Sequence, residues 1–368
     1  MNPNISKISN DGIFKFTLSG VNVSLANALR RIILNDIHTV VFRTETYEDN
    51  HCTISVNTGR LHNEILKQRL SCIPIHSKTP DELPGKYILE IDETNNTDYI
   101  MFVTTEHFKI RNKETGVEMD KAEVKRIFPP DVKTQQYIDF CRLRSKIGDI
   151  PGEQIKLSCE FSIANAGVSS MFNVVSKCAY GNTIDNEAAK EAWTEKENKM
   201  KADGATPEEI EYAKTNFYIL DAQRYFVKNS FDFSIETLGV FTNDEIVKKA
   251  CVVMQDKLLN FKNNIDDNKV VSIEESVVVM KNCWDVILKN EDYTLGKALE
   301  FYLYEHFYNS KNNKKLSFCA FKKLHPHDSS SRIQIAYLHN VNANDIRMDL
   351  KTACDELYEV YEAIYKMF

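Results

Sequence analysis

Apolar and polar positions repeat in the same order at two places in the chain, 270 residues apart. In residues 13–34, Phe14, Phe16 and Leu18 alternate with other residues, the period of a half-buried strand. In residues 283–304, Trp284, Val286 and Leu288 do the same. A polar turn follows each strand. Ser24 or Thr294 then stands where a hydroxyl can accept from a first-turn amide and cap a helix. Behind it runs one apolar stripe at helical spacing. The first copy carries Leu25, Ala28, Leu29, Ile32, Ile33 and Ile37; the second carries Leu295, Ala298, Leu299, Tyr302, Leu303 and Phe307. Each strand–helix unit has an apolar face that it cannot cover alone. Two such units can cover each other across a pseudo-two-fold axis, the geometry of an isologous dimer placed within one polypeptide.

The second half of each unit is also written twice. Phe231, Phe233 and Ile235 alternate as a strand, and Thr242 with Glu245 forms a capping box that opens a helix. That helix carries Ile246, Ala250, Val253, Leu258 and Phe261 on one side. In the second copy Ile333, Ile335 and Tyr337 alternate, and Asn342 can cap the last helix. Ile346, Leu350, Ala353, Leu357, Val360, Ile364 and Met367 follow at steps of four and three. This seam suits a facing helix as well as the helix's own sheet. The pattern as a whole predicts an α+β fold.

Long excursions interrupt the first unit. Residues 41–154 predict an inserted, mixed α/β domain, with a helix over 60–71 ended by Pro74 and strands over 86–92 and 99–104. Residues 183–216 are charged and poor in β-branched residues, which predicts a solvated helical pair broken at Gly204 and Pro207 and anchored by Trp193. The expected domains are therefore 1–40 with 155–262, the insert 41–154, a linker 263–282, and 283–368.

Charge and chemistry narrow the function. The formal charge of −7 argues against a large phosphate-binding surface. No stretch reaches the roughly 20 apolar residues of a membrane span, and the polar N-terminus carries no signal-peptide core. Nine scattered cysteines predict free thiols in a reducing setting. Neither phosphate-cradling glycine motif is present, nor G-x-S-x-G or H-E-x-x-H. His325 and His327 lack a near carboxylate or thiol and read as an exposed turn. No catalytic residue, metal site or cofactor is therefore expected. An enzyme built on the insert would need clustered titratable groups, and the sequence offers none. Arg30 and Arg31 suit either a solvated face or bidentate pairing with a partner's carboxylates.

The run VNVSLANALRRIILNDIHTVVF (21–42), with Asn27-Ala28-Leu29-Arg30-Arg31 at its centre, resembles the α-like subunits of DNA-directed RNA polymerase: bacterial α, archaeal D and the eukaryotic third subunit. The run NTGRLHNEILKQRLSCIPI (57–75) continues the signature, residues 61–74, ending Leu70-Ser71-Cys72-Ile73-Pro74, resemble that family's next helix, and residues 190–193 and 216–235 its eukaryotic form. Residues 288–303, with Glu291-Asp292 and Thr294-Leu295-Gly296, resemble the smaller partner, the eukaryotic eleventh or archaeal L subunit. Residues 318–337 continue that match through Leu324-His325-Pro326.

The resemblance implies a fusion of the two subunits, an arrangement associated with large DNA viruses. The fold it implies is the polymerase α N-terminal dimerisation fold, present twice as an intramolecular pseudo-dimer. The pseudo-dimer interface would hold Leu25, Leu29, Ile32, Ile33, Leu295, Leu299, Tyr302, Leu303, Leu350 and Leu357. Contacts to the second-largest and largest subunits would fall on Asn27, Arg30, Arg31, Arg60, Glu64 and Arg69. Small zinc-bearing subunits are further implied partners; nucleic acid would be met only through the complex, and no membrane. The setting would be the host cytoplasm or a virion. Many cellular third subunits carry a cysteine cluster for a metal in the insert, but Cys52, Cys72 and Cys141 lie far apart in sequence. The bacterial C-terminal DNA-binding domain has no expected counterpart. The competing reading is a free-standing interaction module that dimerises through the terminal heptad helix.

Overall fold

The structure is a computed structural model that describes every residue except 268, 278 and 279. The chain opens with strands β1 (Asn4–Asp11) and β2 (Ile13–Ser19) and helix α1 (Val23–Asn35). There follow β3 (Thr39–Val41), β4 (Cys52–Asn57), α2 (Asn63–Ser71), β5 (Tyr87–Thr94), β6 (Met101–Thr104), β7 (Lys109–Asn112), α3 (Lys121–Ile127), β8 (Asp139–Leu143), β9 (Gln154–Glu160) and β10 (Ser162–Ala164). Then come β11 (Val175–Ile184), α4 (Asn186–Ala202), α5 (Pro207–Ile219), β12 (Phe226–Thr237) and α6 (Asn243–Asn264). The last part holds β13 (Val271–Glu275), β14 (Cys283–Lys289), α7 (Tyr293–Leu303), β15 (Leu316–Lys322), β16 (Ser330–Tyr337) and α8 (Ala343–Tyr365).

Two compact units result. The first comprises residues 1–32, 177–236 and 247–368. It holds two four-stranded sheets of identical order, β1-β2-β12-β11 and β13-β14-β16-β15. In each, the strand that leads into the first helix pairs antiparallel with the strand that leads into the second. Alternation puts Phe16 opposite Phe233 and Phe14 opposite Ile235, and all four are buried. Phe16 and Phe233 stack with ring centroids 5.0 Å apart. The equivalent face of the other sheet buries Val286, Leu288, Ile333 and Ile335. Repetition thus extends beyond the strand–helix pattern to the flanking strands. The expected linker 263–282 needs correcting here. Val271–Glu275 is a strand on β14, with Val271 opposite Leu288 and Ile273 opposite Val286.

The α8 seam is buried from Ile346 through Leu350, Ala353, Leu357, Val360 and Ile364. Met367 is half exposed instead, and the Phe368 ring packs beside Phe16 at 5.0 Å and Phe14 at 6.1 Å. The charged excursion forms the helical pair α4–α5. Gly204 supplies the left-handed turn (φ 81°) between them, a conformation open to glycine at little cost. Thr206 and Glu209 then form a capping box with Pro207 at the first helical position. Trp193 is not its sole anchor, because Phe217, Ala189 and Ala222 are buried with it.

The second unit comprises residues 33–176 and 237–246, wider than the expected insert 41–154. The cause is β9. Ile155, Leu157 and Cys159 point inward, and their strand lies between β4 and β5 in the sheet β4-β9-β5-β7. The chain therefore leaves this unit only after completing that sheet. A second pair, β6-β8, and a third, β10-β3, complete the unit around a core that includes Phe42, Leu70, Leu89, Phe128 and Phe140.

Candidate functional site

The N-termini of α1 and α7 are built alike. Before α1, Gly20 adopts φ 77°, and a Cβ there would lie 2.0 Å from the Asn2 carbonyl oxygen; only glycine fits. The Asn22 side-chain oxygen then accepts from the Ser24 amide at 2.9 Å. At α7, Asp292 Oδ1 accepts from the Thr294 amide at 2.9 Å. The caps are therefore Asn22 and Asp292, two residues ahead of the expected Ser24 and Thr294. Asparagine and aspartate reach a first-turn amide as well as a hydroxyl does. Their equivalence across the repeat was the missed signal.

This shift frees Thr294 and the second Asp292 oxygen for another partner, Arg31. Arg31 Nε donates to Thr294 Oγ1 at 2.9 Å, and its terminal nitrogen pairs with Asp292 Oδ2. A guanidinium from α1 thus closes over the helix start of α7. Burial works against ionisation of Asp292. The Thr294 amide, Arg31 and the Thr294 hydroxyl outweigh it and hold the carboxyl below its ordinary range. A second bridge lies deeper: the fully buried Tyr361 hydroxyl of α8 donates to the Leu25 carbonyl oxygen at 3.1 Å. Further ion pairs run from Lys262 to Asp355 and from Lys351 to Asp266. Tyr361 and Phe368 had no signature in the sequence, because their contacts connect distant positions.

All ten expected interface residues, Leu25, Leu29, Ile32, Ile33, Leu295, Leu299, Tyr302, Leu303, Leu350 and Leu357, are buried. Gly296 lets α7 approach β15. A Cβ there would sit 2.0 Å from a ring carbon of Phe321.

The expected partner-binding residues fall into two groups. On α1, Arg30 donates from Nε and from one terminal nitrogen to Asn27 Oδ1, at 3.1 and 3.0 Å. Arg31 differs from the expectation of an outward contact, since its donors engage Asp292 and Thr294 of the same chain. At α2, Arg60 and Glu64 are exposed. Arg69 donates to the carbonyl oxygens of Phe140 at 2.6 Å and Asp139 at 2.5 Å, bracing α2 on β8. Its guanidinium satisfies backbone acceptors, so it too acts within the chain.

Among the described residues no group of three or more His, Cys, Asp or Glu side chains could hold a metal ion. His325 Nδ1 accepts from the His327 amide at 3.2 Å, a local turn contact. No described helix is long and apolar enough to cross a membrane.

The family described as the RNA polymerase Rpb3/Rpb11 dimerisation domain matches residues 15–258. A conjugation stage-specific protein of Tetrahymena thermophila is 23% identical over 300 residues, covering 69% of this chain and 92% of that protein. DNA-directed RNA polymerase II subunit RPB3 of Schizosaccharomyces pombe is 36% identical over 95 residues, 26% of this chain and 27% of that subunit. DNA-directed RNA polymerase subunit Rpo3 of Pyrococcus horikoshii is 40% identical over 90 residues, 24% of this chain and 30% of that subunit. The chain thus spans less than a third of the length of these two polymerase subunits. With the family matching about two-thirds of its residues, the chain belongs to the RNA polymerase Rpb3/Rpb11 dimerisation-domain family.

Proposed function

We propose that the chain is a non-catalytic assembly platform of a multisubunit DNA-directed RNA polymerase, with a third-subunit-like half fused to an eleventh-subunit-like half. One observation carries this reading: a single strand order occurs twice, and Arg31 of the first copy engages the helix cap of the second. Fusion makes the docking of the halves intramolecular and fixes their ratio at one to one. The paired halves present a rigid surface to the second-largest and then the largest subunit. Asn27, Arg30, Arg60 and Glu64 are the residues offered to those partners, while Arg31 and Arg69 hold the helices that present them. Small zinc-bearing subunits complete the partner set, and nucleic acid is met only through the complex. The proposed setting is intracellular and reducing, the host cytoplasm or virion of a large DNA virus.

Burial of six seam residues of α8 within the chain supports the platform over a module that dimerises through that helix. The test is affinity purification of the tagged chain from its native setting, with quantitation of stoichiometric partners. Two very large polymerase subunits at one copy each are expected. Recovery of the chain alone, or as a self-dimer, would overturn the reading.

A further inference from the structure

Cys52 and Cys159 stand directly opposite each other in the antiparallel pair β4–β9. The Glu160 amide donates to the His51 carbonyl oxygen at 3.1 Å. That bond brackets the two cysteines and makes them a non-hydrogen-bonded pair, the kind whose Cα atoms lie about 4.5 Å apart. A disulfide spans Cα separations of about 4.4–6.8 Å. Both side chains are buried, and the two thiols lie within hydrogen-bonding reach of each other. Asn50 fixes the position from the side. Its Nδ2 donates to the Cys52 carbonyl oxygen at 3.0 Å and its Oδ1 accepts from the Cys52 amide at 3.3 Å. By contrast, Cys141, Cys283 and Cys319 face Val103, Ala336 and Ile335 in their registers.

The two sulfurs are not equivalent. The Cys159 S–H beside it holds the Cys52 thiol below its ordinary value; burial opposes this, and Lys67 of α2 adds to it. Cys159 is pushed up by Cys52 and by burial. These directions, with the Lys67 ammonium nearby, favour Cys52 as the attacking sulfur. It also lies on β4, the edge strand of its sheet, where local opening is cheapest.

We propose that Cys52 and Cys159 form a redox modification site, a dithiol that a peroxide converts to a cross-strand disulfide within the chain. The Cys52 thiolate attacks one oxygen of hydrogen peroxide. The O–O bond breaks, the departing hydroxide takes a proton to become water, and Cys52 becomes a sulfenic acid. The Cys159 sulfur then attacks Cys52. The S–S bond forms, the S–O bond breaks, and the hydroxyl leaves with the Cys159 proton as a second water. Two thiols lose two protons and two electrons, and one peroxide becomes two waters. The bond closes a loop of roughly 100 residues, which removes freedom from the unfolded chain. Oxidation therefore locks β4 to β9 and with them the sheet of the second unit.

The experiment uses the full chain carrying Cys72→Ser, which removes the exposed thiol. The reduced protein is treated with stoichiometric hydrogen peroxide, blocked with an alkylating agent under denaturing conditions, and digested without reductant. A peptide pair joining Cys52 to Cys159 is expected as the main product, reversed by dithiothreitol, together with a rise of several degrees in the unfolding midpoint. In Cys52→Ser, oxidation of Cys159 should slow at least tenfold at the same peroxide dose. Recovery of Cys52 and Cys159 as separately alkylated thiols would overturn the proposal. So would oxidation of Cys159 at the same rate without Cys52.

Discussion

Arg31 of α1 and Asp292 at the start of α7 form an ion pair across 261 residues of sequence. Asp292 caps its own helix with one oxygen and receives Arg31 on the other. A helix N-terminus and a guanidinium thus both favour the same negative charge. The pair couples the two copies of the repeat at non-equivalent places, since Arg31 lies within α1 while Asp292, the counterpart of Asn22, caps the start of α7.

Asp292→Ala should destabilise the chain by about 0.5–2 kcal/mol through loss of the cap. Both side chains are partly exposed, 26% and 37%. Solvent screens such a pair, so its coupling in a double-mutant cycle with Arg31→Ala should be only about 0.2–1 kcal/mol. Urea unfolding of the four proteins measures it. Additive effects would mean that Arg31 contributes through its Thr294 hydrogen bond and its packing, not through Asp292.

The same pair sets a pH dependence. The folded carboxyl of Asp292 ionises below its ordinary range, while the unfolded chain titrates near 3.9. The unfolded state therefore binds the proton more tightly. The stabilisation is fully present above that unfolded value and is lost as pH falls through the folded one. The stability gap between wild type and Asp292→Asn should be constant from pH 7 to about pH 5 and shrink below about pH 4. A gap independent of pH down to 3 would remove the ionised carboxylate from the account.

Much of this arrangement was legible in the sequence. Alternation located β2, β12, β14 and β16, and the Thr242–Glu245 box opens α6 as written, with the Glu245 amide donating to Thr242. Asn342 caps α8 by accepting from Asn344 and Asp345. The flanking strands were not legible. β1 is almost wholly exposed along Asn4–Asp11, so no apolar alternation marks it. β13 is short, with only Val271 and Ile273 alternating, and it follows the polar run 262–269. Arg31 was misread for another reason: adjacent arginines look alike in sequence, yet helical geometry turns one toward Asn27 and the other toward Asp292.

Leu29 and Leu299 are fully buried at equivalent places in the two copies. Leu29→Asp or Leu299→Asp puts a charge into an apolar core with no partner, a change expected to cost more than about 4 kcal/mol. Cooperative unfolding should be lost or its midpoint strongly lowered. The matched Leu→Ala variants should lose about 2–5 kcal/mol. An aspartate variant that unfolds like wild type would mean that these helices do not form the shared core.

Gly296 gives an opposite sign from helix propensity. Alanine in place of a helical glycine ordinarily gains up to about 1 kcal/mol. Here the new Cβ would meet the Phe321 ring, which packs edge-on against Tyr293 with centroids 5.2 Å apart. Gly296→Ala should therefore lose about 1–3 kcal/mol by overpacking. Combined with Phe321→Ala, the loss should be smaller than the sum of the two single changes, because the clash is gone. Additivity in thermal or urea unfolding would show that the ring swings aside freely.

The place where the chain can be divided follows from β13. Fragments 1–267 and 268–368, produced together, keep Val271–Glu275 with the sheet it completes. Fragments 1–282 and 283–368 strand β13 on the wrong piece, leaving Val286 and Leu288 without their neighbours Ile273 and Val271. Both pairs keep α1, α7 and α8, so both retain the apolar surfaces that pair the halves. The first division loses mainly the effective concentration supplied by the covalent joint, and tagged 1–267 should retain its partner fragment through purification. The second also exposes an unpaired strand edge, which favours aggregation over pairing, and recovery should fall severalfold. Equal recovery from the two divisions would mean that β13 adds nothing to the second sheet, and residues 263–282 would then be a linker after all.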